Sequence, residues 1–87
     1  MQPDQLVREP ARRDFTGIPT STWYDLVNDG LAPPAVKTGK YTVAWPLSEL
    51  TALNAARIAG KSDDEIRKLV KKVVTARDHA FDGAEIA

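Results

Sequence analysis

Apolar residues recur along this chain in short blocks, each bounded by glycine or proline, and the spacing within a block names the element. Ala11 and Phe15, four apart after Glu9-Pro10, predict a first short helix with those two residues inward and Arg12 and Arg13 outward. Trp23, Leu26 and Val27 fall at i, i+3 and i+4, which predicts a second helix with one buried side. Its other side carries Ser21, Tyr24, Asp25 and Asn28. Gly17 ends the first helix, Ile18 drops into the corner, and Pro19 fits the first turn of the second. Thr20, Ser21 and Thr22 each offer a hydroxyl as cap, and the pattern leaves open which of them is used. Asp29-Gly30 stops the helix, and Pro33-Pro34 prevents continuation. The stretch from Phe15 to Gly30 therefore reads as a helix-turn-helix.

Downstream, Val36-Lys37, a turn at Thr38-Gly39-Lys40, and Tyr41 to Trp45 with Val43 and Trp45 alternating inward predict a β-hairpin. A third helix starts at Pro46 or Leu47 and runs to Ile58 or Ala59, with Leu47, Leu50, Leu53 or Asn54, and Ile58 inward and Gly60 as its stop. Ser62-Asp63-Asp64-Glu65 has the spacing of a capping box. Behind it Ile66, Leu69, Val70, Val73 and Val74 form one stripe, with Arg67, Lys68, Lys71 and Lys72 outside. Such a stripe must be covered. Packing on the third helix through Ala59-Gly60-Lys61 is the expectation, with part of the stripe left for pairing with a second copy. Leu6-Val7 reads as a short extended or turn-like entry onto the core. The expected organisation is a flexible segment at 1–9, loosest at residues 1–3, a winged helix-turn-helix domain at 10–60, a C-terminal helix at 61–78, and a frayed tail at 79–87.

The run T-G-I-P-T-S-T-W-Y-D-L-V-N-D-G-L-A-P-P-A-V-K-T-G-K-Y-T-V-A-W resembles the AlpA family of short regulators from prophages and integrative elements, itself related to MerR-type winged helix-turn-helix proteins and phage excisionases. The likeness rests on T-G before the turn, S-T-W-Y in the second helix, the D-G stop, the proline-bearing turn, V-K-x-G-K as a wing, and a closing tryptophan. It covers about Ala11 to Leu53 and, more loosely, the segment after it. The resemblance implies a mainly α fold with a small β-hairpin wing, in which the third helix braces the wing. It also implies a role as a transcription regulator or as an excisionase that bends DNA and directs an integrase. Members commonly carry arginine or lysine where Thr20 and Asp25 stand, so affinity of one copy for DNA should be low here.

Composition changes this picture in one respect. Twelve cationic residues are matched by twelve anionic ones, so the whole chain has no excess charge to draw it to phosphate. Only a local positive face is available: Arg12, Arg13, Lys37 and Lys40 lie in the proposed domain, and Lys61 to Arg77 is basic-rich. A chain of 87 residues can bury only about 60 to 65% of its unfolded surface, so stability should be modest. Cysteine is absent and the single histidine, His79, stands in the expected tail. No phosphate loop, nucleophile motif or metal-ligand spacing occurs, and Asp63, Asp64 and Glu65 are accounted for by capping and the helix dipole. The expectation is a cytoplasmic protein that is not an enzyme and carries no cofactor, metal or membrane anchor.

The candidate DNA contacts are therefore Arg12, Arg13, Thr20, Ser21, Thr22, Tyr24, Asp25, Lys37, Thr38, Lys40 and Tyr41. The second helix would enter the major groove of double-stranded DNA with its N-terminal end, and the hairpin would reach the flanking backbone. A second copy, in a dimer or a cooperative array, and an integrase are the expected protein partners. The competing reading is a winged-helix module that binds an integrase or repressor and does not touch DNA.

Overall fold

A computed structural model describes the backbone of residues 4–86, and side chains as far as His79 together with Phe81. The elements run in the order β1 (Leu6–Val7), α1 (Ala11–Thr16), α2 (Thr20–Asn28), β2 (Val36–Lys37), β3 (Val43–Pro46), α3 (Leu47–Ile58) and α4 (Asp63–Ile86). The fold is thus mostly helical, with a small antiparallel sheet of order β1-β3-β2. Residues 1–3 and 87, expected to be loose, lie outside the described residues.

β3 is the seam of the molecule. Leu6 and Val7 pair with Pro46 and Trp45 on one side, and Val36 and Lys37 pair with Ala44 and Val43 on the other. Both faces of β3 are covered, since Ala44 and Trp45 are each fully buried. The expected flexible segment at 1–9 is therefore corrected from Asp4 onward: this stretch is fastened at both ends of the β3–α3 corner. The Gln5 carbonyl accepts a hydrogen bond from Leu47 N–H at 2.7 Å, and the Asp4 carboxylate accepts from Ser48 N–H at 3.0 Å and from Ser48 Oγ at 2.5 Å. Pro46, at the N-cap of α3, has no side chain to satisfy the first N–H groups. Asp4 does so from 44 residues away in sequence.

The core gathers Val7, Trp23, Leu31, Ala32, Trp45, Leu50, Leu53, Ile66 and Val70, with Leu26, Val27, Leu47 and Val74 packed at its edge. Trp23 and Trp45 meet edge to face at 5.7 Å between ring centroids, the arrangement that ring quadrupoles favour. Burying each indole removes roughly 150–250 Å² from water, worth about 4–6 kcal/mol apiece as an upper estimate. These two side chains, one on α2 and one on β3, hold the small domain together.

Helix α4 packs on α3, as the Ile66, Val70 and Val74 positions of its stripe predict. Its first turn is capped as expected: Ser62 Oγ accepts from Glu65 N–H at 3.3 Å. It does not end near Asp78 but continues to Ile86, which corrects the frayed tail expected from 79. The segment from Ala76 to Ile86 contains no proline and carries three alanines, so nothing in it breaks the helix outright. Two arginines fasten α4 to the body. Arg77 makes a forked pair with the buried Glu49, at 2.8 and 2.6 Å, and donates to the Pro34 carbonyl at 2.9 Å. Arg67 donates to the Asp29 carbonyl, at the end of α2, at 3.1 Å.

Three faces differ from the sequence reading. Ala11 and Phe15 are exposed, and α1 instead turns Arg12 and Thr16 inward. Ile58, expected inside α3, is 87% exposed on the last turn of that helix. Tyr41, expected to begin the returning strand, belongs to the turn and is also 87% exposed.

Candidate nucleic-acid interface

The two candidate surfaces are the outer side of α2 and the β2–β3 hairpin. Gly17 takes φ of 71°, a left-handed conformation open to glycine, and its N–H donates to the Arg13 carbonyl at 2.8 Å. That reverses the chain within three residues and lets α2 begin at Thr20. Trp23 is fully buried, while Thr20, Ser21, Thr22, Tyr24 and Asp25 are all exposed. None of the three hydroxyls serves as a cap: Pro19 occupies the N-cap position and no side-chain cap hydrogen bond forms there. The capping expectation for these residues is thus corrected. The residue at the N-cap position, Pro19, has no side-chain acceptor, and the three hydroxyls lie inside the helix, past the position from which a cap is made. Tyr24 keeps its ring 6.3 Å from Trp45, with 43% of its surface exposed.

The hairpin closes with Thr38 N–H donating to the Thr42 carbonyl at 3.0 Å and a hydrogen bond of the same length between the two threonine hydroxyls. A Cβ added to Gly39 would stand 2.6 Å from Thr42 Oγ1, so a side chain there would displace the Thr42 hydroxyl. The hydroxyls of Thr38 and Thr42 are thereby turned toward each other across the base of the loop. Lys37, Lys40 and Tyr41 are exposed, and Lys40 Nζ sits 5.4 Å from the Tyr41 ring centroid. The tip is a cation held beside an aromatic ring, with a second lysine on the strand below it.

Of the eleven candidate contacts, Arg12 is removed. Its side chain is fully buried, so it cannot reach a phosphate. Nε donates to Glu9 Oε1 at 2.5 Å, Nη1 donates to the Ile18 carbonyl at 2.7 Å and to Thr16 Oγ1 at 3.2 Å, and the guanidinium lies 4.7 Å from the Trp23 ring centroid. An arginine buried without partners would cost several kcal/mol, and these contacts offset that cost. The local signal was the i, i+3 spacing of Glu9 and Arg12. Nothing local in the sequence announced the two indoles. Arg13, its neighbour, is exposed as expected.

The chain from residue 5 to 57 matches the family model of the prophage CP4-57 regulatory protein (AlpA). This chain belongs to the AlpA family. The matched region takes in β1 through all but the last residue of α3 and so contains both candidate surfaces, whereas α4 lies beyond it. A relative from Enterobacteria phage P4, an uncharacterised protein called ORF88, is 41% identical over 58 residues, which is 67% of this chain and 66% of that relative. The match therefore covers just under two thirds of the relative's length. No solved structure matches the chain. The family is that of a prophage regulatory protein, and among the described residues of this chain no group of three or more histidine, aspartate or glutamate side chains could hold a metal. Nor is any helix of the described residues long and apolar enough to cross a membrane.

Proposed function

We propose that this AlpA-family regulator is a sequence-specific DNA-binding protein with a winged helix-turn-helix architecture. In this reading α2 enters the major groove, and the β2–β3 hairpin is the wing that lies on the flanking backbone. The observation that carries the reading is that α2 buries Trp23 completely while the fold leaves Thr20, Ser21, Thr22 and Asp25 exposed and without a capping role, with Tyr24 partly exposed beside Trp45. Exposed polar side chains that cap nothing are available for base edges. Lys37 and Lys40 supply phosphate contacts from the wing, Arg13 supplies one from α1, and Thr38 and Tyr41 add to the contact at the wing tip. Asp25 reads cytosine N4 if it faces a base, and is otherwise repelled by phosphate.

Three such cations predict modest affinity for a single copy. Placement of several copies on adjacent sites, or binding alongside an integrase, raises it by effective concentration. That suits an excisionase, which must line up on DNA, as well as a transcription regulator of a mobile element.

The test is the salt dependence of binding to DNA from the protein's own locus. With about three phosphate contacts per copy, the plot of log affinity against log salt should fall with a slope of roughly −2.7. Lys40→Ala should reduce that slope by about 0.9 and weaken binding to all sequences alike. A protein that does not bind duplex DNA even at low salt would contradict the proposal and favour a module that docks on a protein instead.

A further inference from the structure

We infer that Arg12 is a positioning residue that fixes the recognition helix against the wing, an inference that rests on the DNA-binding reading above. The two tryptophans at the centre of the fold are anchored differently. Trp45, on β3, donates its indole N–H to the Pro33 carbonyl at 3.1 Å. Trp23, on α2, is equally buried, yet its indole N–H has no acceptor. The orientation of the Trp23 ring therefore depends on what it stacks against. One contact is the edge of Trp45, and the other is the Arg12 guanidinium, 4.7 Å from the Trp23 centroid and 5.9 Å from that of Trp45.

The same guanidinium grips the turn that launches α2. Nη1 holds the Ile18 carbonyl, one residue before Pro19, and Thr16 Oγ1, while Thr16 in turn donates to the Arg12 carbonyl at 3.0 Å and accepts from Ile18 N–H at 3.3 Å. The remaining nitrogen, Nη2, has no hydrogen-bond acceptor. A planar cation lying over two indoles is held there by cation–π attraction, which explains why a charged group stays in the core with one nitrogen unpaired. One side chain thus touches the end of α1, the turn, α2 through Trp23, and the wing strand through Trp45. A flat fork with several donors can do this, and an ammonium cannot.

The experiment compares full-length wild type, Arg12→Met and Arg12→Lys by thermal unfolding, by salt-dependent binding to duplex DNA from the protein's own locus, and by backbone amide NMR shifts. Methionine fills the space without charge, and the Glu9 carboxylate it leaves unpaired is 31% exposed and can turn to water. Arg12→Met is expected to fold and to bind DNA roughly tenfold more weakly, with the salt slope of wild type, because no phosphate contact is lost. Amide shifts should move together on α2 and on residues 36–45. Arg12→Lys, although cationic, should not restore affinity.

Wild-type affinity in folded Arg12→Met overturns the inference, as does a slope reduced by about 0.9, which would make Arg12 a phosphate contact. If Arg12→Met does not fold, Arg12→Lys decides: full affinity in that variant overturns the positioning role. If wild type itself binds no DNA, the proposed function fails. The inference is then judged by the amide shifts alone, and changes confined to α1 overturn it.

Discussion

Single side chains in this protein do work that their position in sequence conceals. Arg12 is one case, sealed between indoles where a solvated or phosphate-binding arginine would be expected. Glu49 is another: it is 5% exposed and is paired in the interior with the fork of Arg77 from α4. Removing one member of a buried pair costs about 3–5 kcal/mol, and the partial exposure of Arg77 lowers that here to roughly 2–3 kcal/mol. Glu49→Ala should therefore lower the unfolding free energy by about that amount in a denaturant titration. Asp4 is a third case, since it caps α3 from 44 residues away in sequence. Asp4→Ala should cost about 1 kcal/mol, seen as a melting temperature lower by roughly 4–8 °C.

The elements themselves were largely legible in sequence because each carries local punctuation. Gly17, the Trp23-Leu26-Val27 spacing, the hairpin around Gly39, the α3 stop at Gly60 and the Ser62 capping box all sit where the structure uses them. What could not be read was decided by distant partners. The third strand, β1, exists because Leu6 and Val7 find β3, and two residues show no period of their own. The inward face of α1 was misassigned because apolar spacing favoured Ala11 and Phe15, whereas a cation with two aromatic neighbours competed successfully for the interior. In the candidate interface the exposed face of α2 was legible and the loss of Arg12 from it was not.

Two outcomes follow for the elements. Gly17→Ala must hold φ near 71° with a Cβ, so about 1–2 kcal/mol of stability should be lost in thermal unfolding. Helix α4 lies outside the region matched to the family, yet Ile66 and Val70 belong to the core. Burying those two side chains is worth roughly 3–6 kcal/mol, a large share of the 5–15 kcal/mol that holds a typical domain folded. A chain ending at Gly60 should therefore lose its cooperative thermal transition, as followed by circular dichroism.

Taken as a whole, the molecule has no net charge and must draw its partner by local surface alone. Two groups of exposed cations bear on this, Arg13, Lys37 and Lys40 near the helix-turn-helix and hairpin, and Lys68, Lys71 and Lys72 along the outside of α4; Arg8, Arg57, Lys61 and Arg67 are exposed elsewhere. The first group accompanies the free hydroxyls and aromatic rings suited to a duplex, while the second is a solvated helix side. Amide chemical-shift mapping of the full-length protein, titrated with duplex DNA from its own locus, separates them directly. The proposed function predicts that Thr20, Ser21, Tyr24, Asp25, Lys37 and Lys40 respond, with little change along α4. Shifts confined to the Lys68, Lys71 and Lys72 side, with α2 silent, would contradict it.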